Sequence, residues 1–347
     1  MRGDDWARGV QALDLLTQGL LGGVLASSVA AKKELRYAAA IGFAAALLAD
    51  ADVFIGAADD PLLKLEFHRH FTHALVFIPV GTLIAALLLW PLLRNRLGFK
   101  RIYCYALLGC ATSGLLDACT SYGTHLLWPF SETRIAWSII AIIDPVFSLV
   151  LVAALILGFK YGKPVPARIG LALAGAYLLF GLWQHQNALQ SAIELAQRRG
   201  HEPQRIIVKP TLANLVLWRS VYQLDDLFYV DAIRVGPGPE RIYPGGSVRE
   251  FNLERDRPQL ERESVLAGDI ARFARLADGY VVPDPGRANV LTDIRYSMLP
   301  TGITPMWGID LGVGLASRHA KFEVYRDRPD NARDLFLAML LGRDLPR

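Results

Sequence analysis

The chain has 347 residues, of which 52% are hydrophobic, and it carries a formal net charge of +4. Its mean hydropathy of +0.28 is high for a soluble enzyme, because soluble domains are usually about 45 to 50% apolar. The small positive charge is unevenly placed and forms no Lys/Arg-rich stripe with interleaved aromatic residues. We therefore expect no nucleic-acid partner.

The N-terminal half is a series of apolar runs near the roughly 20 residues that a helix needs to cross a bilayer. Six candidate spans follow in chain order: residues 14–31, 37–56, 74–93, 102–122, 137–159 and 167–184. Beyond Gly200 the composition is that of a soluble protein. The sequence thus predicts an α-helical integral membrane domain of about six spans over residues 1–190. A small soluble α+β domain is predicted over residues 200–347.

The basic residues between the spans alternate, and this predicts an orientation. Most of them fall in the first, third and fifth links, which the positive-inside rule places in the cytoplasm. The second link, which contains the hexapeptide HRHFTH, is then extracytoplasmic, as is the C-terminal domain. The basic residues concerned are Lys32, Lys33, Arg36, Arg94, Arg96, Lys100, Arg101, Lys160, Lys163 and Arg168.

Several ionisable residues lie inside or next to the predicted spans. Each such residue costs about 2.5 to 3.5 kcal/mol on insertion scales, so each is a functional candidate. With a rise of about 1.5 Å per helical residue, the aspartates of the second, fourth and fifth spans fall in the outer third of the membrane, level with the second link. The candidates are Asp14, Asp50, Asp52, Asp117 and Asp144, with His68 and His73 in the link.

Carboxylates and imidazoles gathered at one depth require neutralisation, and a divalent cation is the simplest agent. Aspartate oxygens and histidine nitrogens suit zinc, manganese or iron. A bound ion would also lower the pKa of coordinated water enough to make a nucleophile near neutral pH. We therefore predict that His68 and His73 are metal ligands that close over a carboxylate-lined pocket. The alternative is that each histidine is an ordinary solvated residue.

Alternatives stay open at the neighbouring positions. Asp50 and Asp52 are two residues apart and do not share a helix face, so they converge only at a frayed helix end. Asp144 precedes Pro145, and a structural hydrogen-bonding role competes there with a role in the site. Asp117, Thr120 and Ser121 occupy positions i, i+3 and i+4, which predicts one helical face with the hydroxyls orienting the carboxylate. Arg69 and Arg134 suit either a phosphate or lipid headgroups.

Several segments of the chain resemble the YdjM-type inner-membrane proteins, a family described as metal-dependent hydrolases. The resemblance is carried, in order and spacing, by LDLLTQGLLGGVLAS, ALLADADVFI, HRHFTHALVF and LLDACTSYGTHLLWPFSETR, followed by IIDP. It covers residues 14–145. It implies a multi-pass protein of the bacterial inner membrane.

The resemblance also implies a set of site residues. The metal ligands would be Asp50, Asp52, His68, His73 and Asp117, with Arg69 and Asp144 supporting catalysis. The chain departs from the family pattern at four positions: Gln18 stands for histidine, Ala49 for proline, His70 for glycine and Ala74 for serine. Whether Gln18 and His70 join the site is therefore open.

The C-terminal part alternates short β-branched and aromatic runs with turn clusters. Strands are predicted in RIIVK, ANLVLWRSVYQ, DLFYVDAIRV, ANVLTDIRYSM and AKFEVYR, with turns at GPGPE and YPGGS, and helices over residues 259–277 and 331–341. No nucleotide-binding loop or catalytic triad signature is present in the sequence. We expect this domain to cover the outer face as a lid or substrate-selecting module.

Together these features predict a membrane-embedded hydrolase with zinc or manganese at its outer face. Its partners would be the bilayer and a lipid-like substrate, such as a phosphoester, with Asp52 as general base. One alternative is a non-catalytic regulatory or scaffolding membrane protein. A further alternative, an ion-coupled transporter, predicts carboxylates through the full membrane depth, whereas the inner half of the middle spans has none.

Overall fold

The computed structural model describes residues 3–57, 59–312, 317–325 and 329–345, with side chains from Leu15 onward. The side chain of Asp14, predicted near the site, lies outside this description. The chain divides into two compact units, each with its own interior. The membrane unit comprises Met1–Ile55, Phe67–Trp183 and Leu212–Asn214, and the C-terminal unit comprises Gly56–Glu66, Gln184–Thr211 and Leu215–Arg347.

The membrane unit is built from helices, and the last of them continues into the C-terminal unit. They are α1 (Gly3–Ser28), α2 (Leu35–Leu48), α4 (Ile78–Leu93), α5 (Phe99–Cys119), α6 (Pro145–Tyr161) and α7 (Val165–Arg198); a short helix α3 (Leu63–Phe67) precedes α4. Four segments are long and apolar enough to cross a membrane: Lys32–Phe54, Leu75–Leu93, Phe99–Cys119 and Val165–Arg198. The apolar helices Leu15–Ser28 and Pro145–Tyr161 are shorter. The count of six spans stays a prediction.

The outward faces of these helices are apolar. Leu88, Leu92, Leu149 and Leu179 each expose more than 60% of their surface. Monomeric soluble proteins rarely expose contiguous apolar patches of this kind. A face of exposed leucines is what a bilayer stabilises, so the packing agrees with the hydropathy in assigning this unit to the membrane.

Glycines allow α1, α2 and α5 to cross in direct backbone contact. A Cβ atom added at Gly22 would lie 2.6 Å from the carbonyl oxygen of Gly42, and one added at Gly109 would lie 2.3 Å from that same oxygen. Small residues at helix crossings are the usual means of close packing in membranes, where no hydrophobic effect drives helices together. The crossing brings helix α1, which carries Gln18, together with the two helices near whose C-terminal ends Asp50 and Asp117 lie.

Three predicted spans have different boundaries in the structure: two helices end earlier than predicted, and one begins later. Helix α2 stops at Leu48, and residues Ala49–Phe54 continue as a 3-10 helix. Helix α5 ends at Cys119, so Thr120 and Ser121 do not extend the helical face of Asp117 as predicted. The predicted fifth span at 137–159 is wrong at its start, because α6 begins at Pro145 with Asp144 as its N-cap. Proline is favoured in the first helical turn because its missing N–H has no partner to lose there.

The C-terminal unit contains two four-stranded antiparallel sheets. The first has strand order β1 (Arg205–Pro210), β2 (Leu217–Leu224), β3 (Leu227–Arg234), β4 (Arg241–Arg249), and the second β5 (Val281–Pro283), β6 (Val290–Asp293), β7 (Trp307–Asp310), β8 (Lys321–Val324). Helices α8 (Leu253–Asp256), α9 (Val265–Leu276) and α10 (Ala332–Leu340) complete the unit. A soluble-type domain with strands and helices was predicted here, and β1, β2, β3, β6 and β8 overlap the predicted strands.

The predicted turn YPGGS is wrong, because these residues lie inside β4. Strand β4 is an edge strand of the first sheet, where proline is tolerated because its missing N–H need not enter a ladder. Pro244 pairs with Asp231, and the register shifts between Tyr229 and Asp231. Glycine and proline here therefore mark a bulged edge and not a chain reversal.

Candidate metal centre

Three predicted ligands meet near the C-terminal ends of helices α2 and α5 in the membrane unit. Asp50 lies in the 3-10 segment after α2, Asp117 in the last turn of α5, and His73 in the short 3-10 turn Phe71–His73. Each contributes one ligand atom to a group whose members all lie within 4.8 Å of one another. His73 Nε2 is 3.1 Å from Asp117 Oδ2 and 3.6 Å from Asp50 Oδ1.

The contacts within this group are ion-pair contacts and not well-aligned hydrogen bonds, and Asp117 Oδ2 also lies 3.2 Å from Nε of Arg69. His73 Nε2, Asp117 Oδ2 and Asp50 Oδ2 are buried and have no hydrogen-bond partner among the described residues. Two ligands at about 2.0 Å from one tetrahedral ion lie about 3.3 Å apart. The separations of 3.1 and 3.6 Å therefore fit ligands that share a cation. Buried polar atoms are otherwise almost always satisfied.

The tautomer of His73 is fixed from the opposite side of its ring. The hydroxyl of Thr72 donates to Asp52 Oδ2 at 3.0 Å, and its oxygen lies 3.1 Å from His73 Nδ1. Because the hydroxyl hydrogen is already used, Nδ1–H is the donor in the second contact. Asp52 Oδ2 also lies 3.4 Å from Nδ1. When Nε2 is deprotonated, the proton held on Nδ1 leaves the Nε2 lone pair for a metal, the usual arrangement for a ligating histidine.

The charge on His73 is set by the surrounding carboxylates. Burial disfavours a charged imidazole, but contacts with Asp117, Asp50 and Asp52 outweigh it and hold the pKa of His73 well above its usual value. In the absence of a cation, the imidazolium itself balances part of the negative charge. A metal ion has to displace that proton when it binds.

The structure places Asp52 and His68 outside the three-residue group. Both oxygens of Asp52 are used: Oδ1 lies 3.1 Å from His68 Nδ1, and Oδ2 accepts from the Arg69 backbone N–H at 2.7 Å and from Thr72. Asp52 is 1% exposed, so these contacts saturate it. It orients the rings of His68 and His73 through their Nδ1 atoms. Direct ligation by Asp52 and His68 stays a prediction.

Arg69 occupies a strained position beside the ligands. Its φ of 59° is uncommon for a residue with a side chain. The backbone is held there by the bond to Asp52 and by two donors to its carbonyl oxygen, Thr124 Oγ1 at 2.9 Å and the N–H of His125 at 3.1 Å. The guanidinium is buried, with Nε 3.2 Å from Asp117 Oδ2 and Nη1 donating to Thr120. Strain maintained by several bonds is typical of functional sites.

Two further residues complete the pocket. Gln18 of α1 is 1% exposed and donates from Nε2 to Asp117 Oδ1 at 2.8 Å, so a residue left open by the sequence does contact a ligand. Sequence reasoning missed Gly114 entirely. A Cβ atom there would lie 2.1 Å from the carbonyl oxygen of His73. The absence of a side chain on α5 therefore lets the histidine turn pack against the helix that carries Asp117.

Other predicted residues lie around the pocket without joining it. His70 packs against the ring of His125, with centroids 4.6 Å apart, and against Trp128. Arg134 lies over the ring of Tyr122 and donates to the backbone oxygen of His68 at 3.2 Å.

Asp144 has a helix-capping role in the structure. Its Oδ1 accepts from Phe147 N and its Oδ2 from the hydroxyl of Tyr177 at 2.8 Å. These contacts favour the structural alternative for Asp144. Its support of catalysis stays a prediction.

A second group of potential ligands lies in the C-terminal unit. It consists of Asp60, Asp269 and His319. Here an arginine already supplies the cation: Arg272 Nη1 donates to Asp60 at 3.0 Å and to Asp269 at 3.1 Å. His319 Nδ1 lies 3.0 Å from Asp269 Oδ2. The carboxylates of this group are thus engaged with protein donors.

The fold and the pocket define a multi-pass membrane protein with buried aspartate and histidine side chains clustered at one end of its helices. Residues 13–188 match the family model of the YdjM inner membrane protein. The chain therefore belongs to the YdjM inner membrane protein family, which confirms the resemblance seen in its motifs. That membership and the several apolar helices assign it to the inner membrane.

One curated relative comes from Bacillus subtilis (strain 168). The chain is 27% identical over 180 residues to the uncharacterized protein YfhP of Bacillus subtilis (strain 168), an alignment of 49% of this chain and 53% of that protein. The chain thus spans about half the length of this relative. No solved structure matches the chain.

Proposed function

We propose that this protein is a membrane-embedded, metal-dependent hydrolase that acts on a lipid-like substrate, such as a phosphoester, at the outer face of the inner membrane. The observation that carries the proposal is the set of buried ligand atoms on Asp50, His73 and Asp117 that lack hydrogen-bond partners. Oxygen and nitrogen donors of this kind suit zinc or manganese. A divalent ion bound there would supply an activated water and polarise the bond to be cleaved.

The residues around the ligands have distinct roles in this proposal. Asp50, His73 and Asp117 hold the ion, and Asp52 fixes the tautomer of His73 through Thr72. Because both oxygens of Asp52 already accept hydrogen bonds, its assignment as general base requires one of those bonds to open during the reaction.

Positive charge beside the ligands supports an anionic substrate. Arg69 and Arg134 both lie near the ring of Tyr122, with their guanidinium carbons 5.5 and 5.0 Å from the ring centroid. A guanidinium beside a metal suits a phosphoryl group, because its planar donors match two oxygens. The depth of the aspartates in the predicted spans favours a substrate at headgroup level. The extracytoplasmic orientation of the site is part of the proposal.

The test is hydrolysis by the purified full-length protein in detergent and in phosphatidic acid vesicles, with Zn²⁺ or Mn²⁺ added. We expect phosphate release that a chelator abolishes and that His73→Ala removes. The matched control is His319→Ala, a histidine of the C-terminal unit that should leave the rate unchanged. Metal-independent release, or equal rates in wild type and His73→Ala, would overturn the proposal.

One observation favours the non-catalytic alternative, a scaffolding or regulatory membrane protein. The negative charge of Asp117 is already countered by Arg69, and Gln18 donates to its second oxygen. Buried polar pairs of this kind can serve only to hold helices together. In that case the His73→Ala protein loses thermal stability but the wild type binds no metal.

A further inference from the structure

The segment between Asp52 and His68 leaves the membrane unit and returns to it. Residues Gly56–Glu66 belong to the C-terminal unit, whereas the chain on both sides belongs to the membrane unit. Asp52 lies four residues before this segment and His68 two residues after it. We call Gly56–Glu66 the excursion. The chain just before it and the chain just after it are joined by the 3.1 Å contact between the side chains of Asp52 and His68 and by the hydrogen bond from Arg69 N to Asp52.

Arg272 binds the segment at Asp60 and at Glu66. Its Nη1 and Nη2 donate to the two oxygens of Asp60 at 3.0 and 2.9 Å, and its Nε and Nη2 donate to the two oxygens of Glu66 at 2.8 Å each. A further bond joins Nη1 to Asp269, one turn earlier on α9. One guanidinium therefore binds the middle and the last residue of the segment through paired hydrogen bonds, the strongest geometry available to arginine.

Apolar packing fixes the middle of the same segment. Leu62 is fully buried and belongs to a core cluster with Ile270, Phe273 and Ile309. The carboxylate of Asp60 also caps the following turn, accepting from the N–H groups of Leu62 and Leu63. The excursion is thus tied to α9 by charge and by a buried leucine. It is not a free surface loop.

We infer that Arg272 is a positioning residue for the metal centre, and this inference rests on the proposed function. The eleven residues of the excursion join the segment that carries Asp50 and Asp52 to the segment that carries His68 and His73. When the excursion is held in one conformation, the positions of the two segments that it joins are restricted. When it is released, a loop of this length gains conformational entropy and the two segments move more freely. Without Arg272, the segment of Asp50 and Asp52 is held less firmly against the segment of His68 and His73. The ligand atoms, which must lie within a fraction of an ångström of their binding positions, are then less well preorganised.

The inference predicts that a residue of the C-terminal unit controls metal affinity in the membrane unit. The experiment titrates Co²⁺ into the purified full-length protein in detergent, with the visible absorption of bound Co²⁺ as the readout. We expect Arg272→Ala to bind Co²⁺ about tenfold more weakly than wild type, the lower range seen when groups behind a ligand are removed. Its absorption bands should shift, because the ligand geometry relaxes. Arg272→Lys, which keeps the charge and loses the paired geometry, should fall between the two.

Arg199→Ala is the matched control. Arg199 makes a comparable paired bridge in the same unit, with Nη1 and Nη2 donating to Asp231 at 2.7 and 2.8 Å, away from the excursion. Equal weakening in Arg199→Ala and Arg272→Ala would show a general loss of stability and overturn the inference. If Arg272→Ala binds Co²⁺ with wild-type affinity and shows the wild-type absorption bands, the inference about Arg272 is overturned, but the proposed metal centre is not. A wild type without Co²⁺ absorption would overturn the metal centre and the inference together.

Discussion

Two clusters of aspartate and histidine, one in each unit, contain similar residues and differ in how their polar atoms are satisfied. In the membrane unit, His73 Nε2 and one oxygen each of Asp50 and Asp117 have no hydrogen bond. In the C-terminal unit, Asp60 and Asp269 accept bonds from Arg272, and Asp269 also accepts from the backbone N–H of Ala320 at 2.8 Å.

The difference separates a site prepared for a ligand from a structural ion cluster. A carboxylate whose oxygens already accept from arginine and backbone donors loses those bonds if a metal binds. At the first cluster no well-aligned hydrogen bond has to be broken at these three atoms, although a bound ion would displace the proton of His73 and share Asp117 with Arg69. Residue type and proximity alone would rank the two clusters together, whereas the hydrogen bonds favour Asp50, His73 and Asp117 as the proposed cation site.

The largest expected effect is the loss of metal from variants of the first cluster. His73→Ala and Asp50→Asn should each weaken Zn²⁺ binding by at least about a hundredfold, because each removes a ligand. Loss of a group that only hydrogen-bonds to a ligand can already weaken metal binding by up to that factor. His319→Ala, in the second cluster, should retain wild-type binding. The measurement is metal content by mass spectrometry with calorimetric titration. Equal loss in His319→Ala would place the cation in the C-terminal unit.

A smaller effect is expected from the glycine behind His73. Gly114→Ala forces the His73 carbonyl away from α5, because the new Cβ would lie 2.1 Å from its oxygen. We expect about tenfold weaker Zn²⁺ binding, as for other losses of ligand support, with a lower Tm. Gly175→Ala on α7 is the control, since nothing lies within 4 Å of its Cβ position. Unchanged affinity in Gly114→Ala would mean that the histidine turn need not sit so close to the helix.

A variant of Asp52 distinguishes two roles for this residue: direct metal ligation, or orientation of the histidines. Asp52→Asn removes the charge that orients His73 and His68, and we expect about a tenfold loss of Zn²⁺ affinity, the lower end of the range for a residue that supports a ligand. Asp50→Asn, two residues away, is the matched comparison with its much larger loss. If the two variants lose metal equally, Asp52 binds the ion directly, as the sequence predicts.

The smallest effect concerns His125, which belongs to neither cluster. Burial, together with the nearby Arg134, lowers the pKa of His125 to about 4. Its neutral form is favoured in the folded state, so stability is complete above about pH 6.5, the ordinary value, and falls as the pH drops towards 4 because the unfolded chain takes up a proton. His125→Gln should reduce the acid-induced fall in Tm by a few degrees. Identical Tm profiles would contradict this.

Much of the site could be predicted from the sequence. Asp50, His73 and Asp117 were identified because ionisable residues are costly in apolar spans and these fell at one depth. The convergence of Asp50 and Asp52 required a frayed helix end, and the 3-10 segment after Leu48 provides it.

The remaining assignments depend on local backbone geometry that residue spacing does not specify. Whether Asp52 ligates or supports depends on the Arg69 N–H, which points at it only because Arg69 adopts a positive φ. The end of α5 at Cys119 removed Thr120 from the predicted face, and Gly114 gave no sequence signal among the other small residues of that helix.

The glycine crossing of α1, α2 and α5 restricts how this protein can move. With backbone oxygens within 2.3 to 2.6 Å of where a side chain would begin, these helices cannot slide past one another without first separating. A rocking motion that exposes the aspartates alternately to the two sides of the membrane would have to break this contact in every cycle. This packing favours a pocket that keeps its place within the membrane unit over alternating access.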